Sequence, residues 1–461
     1  MTGEKPPAAI GGRWLVPVSG HANLVRDVPP EAFQGLLDGS IGDWAEAGAP
    51  EHLPVRRISV LDDGYRFATA ETAVGRVRSL ATIPDPGLFA LVEPSALAPF
   101  LRVLRIAGQD PLRPDGNDAL LPGLVEWLVV EGPLDLLPPE PFAPFELPRL
   151  RTTTLTFAGD IVLGRTVHRI MAARNDWSAP FRGVASELGW ADLTVANLEC
   201  ALTVRYLPPD DPYTLRFLTL PDAVAGLELA GIDAVSLANN HSMDFGPLAL
   251  FDTQEILRKA DIASFGAGRD LDEAVAPRSL EVGDVTVALL GFDGVSAGWY
   301  GAGADRPGTA PLEPELVQRA IRAAAAQADI VIPFFHWGVE YTLIPTETQR
   351  KLARIAIDSG ATLVVGSHPH WVQGMEWYRG KPIFYSLGNF VFDQEWSLET
   401  KQGLILHLWF HGAELVRYDL VPVLIEDYHR PRLVEGRQAF VILARVRSSS
   451  EALASSPLAH P

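Results

Sequence analysis

From about residue 152 onward, apolar runs of strand length alternate with segments of helical length, and most runs stop at a residue able to hold a cation or move a proton. That pairing of pattern and punctuation constrains the fold more than composition does. The runs are Thr154 to Ala158, Leu193 to Ala196, Ala234 to Ala238, Val285 to Leu290, Ile330 to Phe335, Thr362 to Val365, Ile383 to Leu387 and Leu404 to Phe410. The helical candidates between them are Asp222 to Ala230, Pro247 to Lys259, Pro314 to Gln327 and Glu347 to Ser359. Pro314 suits a first helical turn, and Gly360 a C-terminal stop. Alternating strands and helices predict an α/β domain.

The residues after the strands carry the chemistry. Gly159-Asp160 follows the first run, Asn197-Leu198-Glu199 the second, and Asn239-Asn240-His241 the third, with Asp244 close behind. His336 and Glu340 follow the fifth, His368-Pro369-His370 the sixth, and Asn389 the seventh. Ligands of α/β sheets sit beyond the carboxyl ends of strands. Taken singly, each group has a structural reading: Gly-Asp as a turn, Asn-Asn-His-Ser as a helix cap, His336 as a satisfied core histidine. Six such ends in one domain describe a crevice. Pro369 biases His368 toward an extended conformation, which would put His368 and His370 on one side, roughly 7 Å apart. His, Asp, Glu and Asn without Cys suit Mn, Fe or Zn, and two such ions can clamp a phosphate-like centre. Asp160 or Glu199 fits a bridging carboxylate. His241 and His336 are both candidates to protonate a leaving group. His168, His407, His411, His429 and Cys200 read as structural or surface residues.

At 461 residues the chain is long enough for two domains. Its net charge of −19 argues against a nucleic-acid surface and makes an anionic polymer an awkward partner unless cations reverse the local field. A single cysteine excludes an internal disulfide framework and cysteine-rich zinc modules. No apolar run is long enough to span a membrane, and the N-terminus lacks the apolar core of a signal peptide, so the chain as written reads as soluble. The expected organisation is a loose tail (1–12), an N-terminal α/β domain (13–135), a proline-rich linker (136–151), the regular α/β domain (152–445) and a disordered tail (446–461). Strands are expected at Arg13 to Val18, Arg57 to Leu61, Leu88 to Val92 and Leu101 to Ile106, and a helix at Pro29 to Leu37. The segments EAFQGLLDGSIGDWAEAG, GLFALVEPSAL and LRVLRIAGQDPL resemble pieces of a type II periplasmic solute-binding lobe.

Six motifs in order, FAGDIVLGR, VANLECALT, SLANNHSMDFG, HWGVEY, VVGSHPHWVQG and YSLGNFVFD, resemble the poly-γ-glutamate capsule synthesis protein CapA family, relatives of the calcineurin-like metallophosphoesterases. The resemblance implies a four-layer α-β-β-α sandwich. It implies metal-binding roles for Asp160, Glu199, Asn239 or Asn240, His241, His336, His368 and His370, with Arg165 and Asn389 lining the pocket. Arg165 would hold an anionic substrate oxygen, and Glu340 and Asn389 would contact substrate. Metallophosphoesterases open with Asp-x-His, whereas Ile161 and Val162 follow Asp160 here, so Glu199 substitutes in one metal shell. Family members are usually exported or membrane-associated, which implies membrane partners in capsule synthesis. The expected function is a metal-dependent hydrolase of a phosphoester or amide-linked anionic polymer. The alternatives are a non-hydrolytic accessory protein in polymer assembly or export, and a polymer- or phosphate-binding protein that recognises through its N-terminal lobe.

Overall fold

The structure, a computed structural model, describes residues 152–455 except 212, together with short stretches between 9 and 129. It contains two compact units: Met1–Thr152 with Trp409–Tyr418, and Thr153–Leu408 with Asp419–Pro461.

In the first unit, Arg56–Ile58, Leu88–Val92, Val16–Gly20 and Leu101–Val103 form a mixed sheet in that order. Ala9–Trp14 pairs antiparallel with Val125–Val129, so residues 9–12, expected in a loose tail, belong to a strand. The expected helix runs over Pro30–Asp38. The linker at 136–151 lies outside the described residues, as do residues 93–97 and 107–112 of the solute-binding-like segments.

The second unit is built on two sheets. The first has the order Ala263–Phe265, Ala234–Ser236, Leu193–Leu198, Thr153–Ile161, Gln402–His411, Glu414–Glu426, Arg430–Leu433, and Asn389–Val391 also pairs with Thr153–Ile161. The second runs Arg278–Val282, Val285–Asp293, Ile330–His336, Val364–Ser367, Lys381–Phe384, Met375–Tyr378. Five strands of the first sheet, Asn389–Val391 included, and four of the second pair in parallel, which sets their carboxyl ends along shared edges.

Alternation along each strand divides the core. Ala288, Leu290, Phe292, Val331 and Phe335 face a helix-side cluster with Leu316, Val317 and Ile321 of Pro314–Ala325 and Leu352, Ala353 and Ile357 of Glu347–Asp358. Ala158, Ala196 and Val235 of the other sheet pack with Val167 and Met171 of Arg165–Arg174 and Leu250 and Leu257 of Pro247–Lys259. On the opposite strand faces, Phe157 and Phe334 meet edge-on between the sheets at 6.1 Å. Two sheets back to back, each covered outside by helices, are the four expected layers.

Element ends moved where tertiary pairing outweighed local signal. The first strand continues three residues beyond its apolar run, through Asp160 to Ile161, because it is paired on both sides there. The Ile383 to Leu387 run is regular strand only to Phe384, and Leu387 forms an isolated bridge to Val372. The segment expected as a tail from 446 is the last part of the helix Gly436–Ala454, where Ser449 and Leu453 are buried. Ser449 Oγ accepts from Gly374 N at 2.8 Å and donates to Leu343 O at 2.8 Å, and these bonds tie the helix down. Among the described residues no helix is long and apolar enough to cross a membrane.

Candidate functional site

Parallel register brings the polar strand ends together. Asn197 pairs with Asp160, Asn389 with Asp160, and His336 with Ser367. Asp160, Glu199, Asn239 and Asn389 are fully buried, and His336, His368 and His370 nearly so. Glu199 Oε1 lies 3.6 Å from His336 Nε2 and 3.9 Å from His241 Nε2. Asp160 Oδ2 lies 3.4 Å from His370 Nδ1 and accepts from the His368 N–H at 3.3 Å. Two sets could each surround one ion, with ligand atoms within 4.8 Å of one another: Asp160, Glu199 and His370, and Glu340, His368 and His370.

The His368-Pro369-His370 turn differs from its expected form. His368 has φ +94° and His370 φ +59°, both outside the extended region, and their rings stand 5.7 Å apart. Positive φ is unfavourable for histidine. The turn is held by the His368 N–H bond to Asp160 and by Tyr341 N donating to Pro369 O at 2.9 Å. Tertiary bonds thus override the proline's local bias, and strain of this kind concentrates at functional sites.

Around these groups sits a shell that sequence reading underweighted. Asn197 Nδ2 donates to Asp160 Oδ1 at 2.8 Å and to Glu199 Oε2 at 3.3 Å. Asn239 spends its amide on scaffolding: Nδ2 donates to Asn197 Oδ1 and Leu198 O, and Oδ1 accepts from His241 N and Ser242 Oγ. Of the two asparagines left open, Asn240 is the one that faces the cluster, with Oδ1 2.8 Å from His336 Nε2. Asp244 Oδ2 contacts His241 Nδ1 at 2.8 Å, so its other ring nitrogen turns toward Glu199. Asn389 Oδ1 lies 2.9 Å from His370 Nδ1, while its Nδ2 donates to Gln394 Oε1 and Thr400 O. The signal for Asn197 was present, since it lies at the end of the strand Leu193–Leu198, two residues before Glu199.

Arg165, expected to line the pocket, is engaged in an ion pair. Its guanidinium is buried against Asp393, with Nε donating to Oδ1 at 3.0 Å and Nη2 joining the same carboxylate. The charge expected to hold a substrate anion is already neutralised. Glu340 is exposed, with Oε1 4.0 Å from His370 Nε2.

Electrostatics and unmet bonding point the same way. Glu199 Oε1 and His368 Nδ1 are buried without a hydrogen-bond partner. Buried polar groups are rarely left so, because the desolvation goes uncompensated. Burial, then the Asp160 charge, pushes the Glu199 carboxyl well above its usual range. Burial, then neighbouring histidines, pushes His336 well below its ordinary value, and burial, then His370, takes His368 down to about 3. Clustered carboxylates and neutral imidazoles with idle lone pairs are the donor set a divalent cation takes. The residues present fit such an ion.

A two-sheet α/β sandwich with a buried His-carboxylate-amide cluster at its strand ends is thus the class of protein at hand. The family described as bacterial capsule synthesis protein PGA_cap matches residues 154–394, and the chain belongs to it, as its motifs led one to expect. It is 34% identical over 289 residues to the PGA biosynthesis protein CapA of Bacillus subtilis (strain 168), covering 61% of this chain and 75% of that one. It is 32% identical over 297 residues to the capsule biosynthesis protein CapA of Bacillus anthracis, covering 62% and 71%. Among solved structures, the 5'-nucleotidase precursor of Thermus thermophilus aligns with TM-score 0.36 and 14% identity, covering 66% of this chain and 59% of that one.

Proposed function

We propose that this chain is a metal-dependent hydrolase of an anionic, phosphoester or amide-linked substrate, serving poly-γ-glutamate capsule synthesis as the names of its relatives suggest. The observation that carries the metal reading is the pair of orphaned atoms, Glu199 Oε1 and His368 Nδ1, at the meeting of strand ends from both sheets. Asp160, Glu199, His368 and His370 would hold the cation, with Asn240 and Glu340 at the edge. Such an ion, Mn, Fe or Zn by donor type, supplies Lewis acidity and lowers the pKa of water. One or two ions are compatible with the two ligand sets, which share His370.

The chain's own residues do the rest. His241 is the better proton donor to a leaving group, because Asp244 orients it and leaves Nε2 toward the cluster. Both nitrogens of His336 are engaged, by Ser367 Oγ at 3.0 Å and Asn240 Oδ1 at 2.8 Å, which favours a holding role. Asn389 orients His370 through Nδ1.

One observation favours the non-hydrolytic accessory reading. Ile161 and Val162, fully buried and apolar, occupy the segment where Asp-x-His would place an imidazole. Elemental analysis of purified protein, with phosphomonoester, phosphodiester and γ-glutamyl substrates offered to wild type and His241→Ala, separates the readings. Turnover lost on chelation and in His241→Ala supports the hydrolase. Bound metal with no turnover on the panel supports the accessory role, and no retained metal refutes both.

A further inference from the structure

The Arg165–Asp393 pair has no place in the chemistry above, yet it sits behind the site as a complete construction. Both side chains are almost fully buried, 6% and 3% exposed. Arg165 holds φ +50° at the first position of its helix, a conformation that a non-glycine residue adopts at a cost. Asp393 Oδ2 also accepts from Thr166 N at 3.1 Å, so one carboxylate grips both the backbone and the side chain of the helix start.

What the guanidinium touches next is informative. Its carbon lies 5.1 Å from the centroid of Phe217 and 5.2 Å from that of Phe392, within cation–π range of both. The two rings meet edge-on at 5.6 Å. Each then covers a histidine of the site. Phe217 lies over His241 at 4.0 Å and 31°, and Phe392 stands edge-on to His370 at 5.3 Å and 72°. Phe217 N also donates to Asp244 Oδ2 at 2.8 Å, the same oxygen that contacts His241 Nδ1. His241 follows a strand of the first sheet and His370 a strand of the second.

We propose that Arg165 and Asp393 are positioning residues: an ion pair that clamps Phe217 and Phe392 and through them fixes the proton donor His241 and the cation ligand His370, from opposite sheets, in one geometry around the cation. A buried ion pair is weak evidence for stability, and fixing one arrangement is the better-attested use of such pairs. Supporting partners around metal ligands typically change metal affinity 10- to 100-fold when removed. The inference rests on the metal-centre reading proposed above, but it assigns Arg165 a role different from holding a substrate anion.

The test uses full-length protein stripped by chelation and titrated with Co(II), whose visible spectrum reports ligand geometry. The variants are Arg165→Met, Asp393→Asn and the double variant. Arg165→Met leaves a buried carboxylate unpaired and so also destabilises; the double variant removes both charges and restores much of that stability. The clamp predicts that Co(II) affinity stays down about 10- to 100-fold and the spectrum stays altered in the double variant, even as its melting temperature recovers. Affinity and spectrum returning to wild type together with stability would show a merely structural pair and overturn the proposal. So would wild-type Co(II) binding in Arg165→Met, the result expected of a residue that only touches substrate. A wild type that takes up no Co(II) fails the metal-centre reading itself, and the clamp falls with it.

Discussion

Replacing Asn197 with alanine isolates what the supporting amide contributes. Asn197 is 1% exposed and donates to Asp160 and Glu199 while accepting from Asn239. Alanine removes these three contacts and a longer one to His336 Nδ1 at 3.4 Å, and admits no water easily. Two of the stranded groups keep another partner: Asp160 still accepts from His368 N, and Asn239 still donates to Leu198 O. Glu199 does not, since its other oxygen is already unpartnered. One fully orphaned carboxyl and two partly orphaned groups, at about 1–3 kcal/mol per unsatisfied buried group, give a loss of roughly 2–5 kcal/mol in the metal-free protein. Urea unfolding of chelated wild type and Asn197→Ala measures this directly, as a shift in midpoint at constant m. A difference below about 1 kcal/mol would mean that the amide is not holding the two carboxyls, and the account of the shell would be wrong.

The metal-free protein should lose stability on both sides of a narrow pH range. The His368 pKa is depressed from 6.5 to about 3, so its contribution is present above 6.5 and drains as pH falls toward 3, by up to about 5 kcal/mol. Glu199 is raised, so its contribution is full below 4.5 and is lost as pH climbs toward its folded value. Denaturant midpoints across pH, with and without added metal, check this; a flat profile for the stripped protein refutes it. Gly159→Ala should destabilise by about 1–3 kcal/mol, because its new Cβ would sit 1.9 Å from Gly388 O, the carbonyl that accepts from Asp160 N. Thermal melting tests that, and an unchanged melting temperature would mean that the two strands separate freely there.

Much of the α/β domain was legible because its local signals agree. Pro247–Lys259 has its bounds written in a proline start and an amphipathic run. The catalytic-looking groups were legible because they punctuate apolar strands. The tail after 446 misled because its Ser/Ala composition carries no helical period, and only burial of Ser449 and Leu453 against the rest of the domain makes it a helix.

The linear order of the chain was enough to set Asp160, Glu199, His241, His336, His368 and His370 at or just beyond strand ends, because strand period is local. It could not say which of Asn239 and Asn240 faces them, nor that Arg165 is already neutralised. Those answers depend on Leu198, His336 and Asp393, partners 41, 96 and 228 residues away. A hydrogen bond or ion pair acts only over a few ångströms, so which groups meet is decided in the tertiary fold: by strand order within the first sheet for Leu198 and Asp393, and by the meeting of the two sheets for His336.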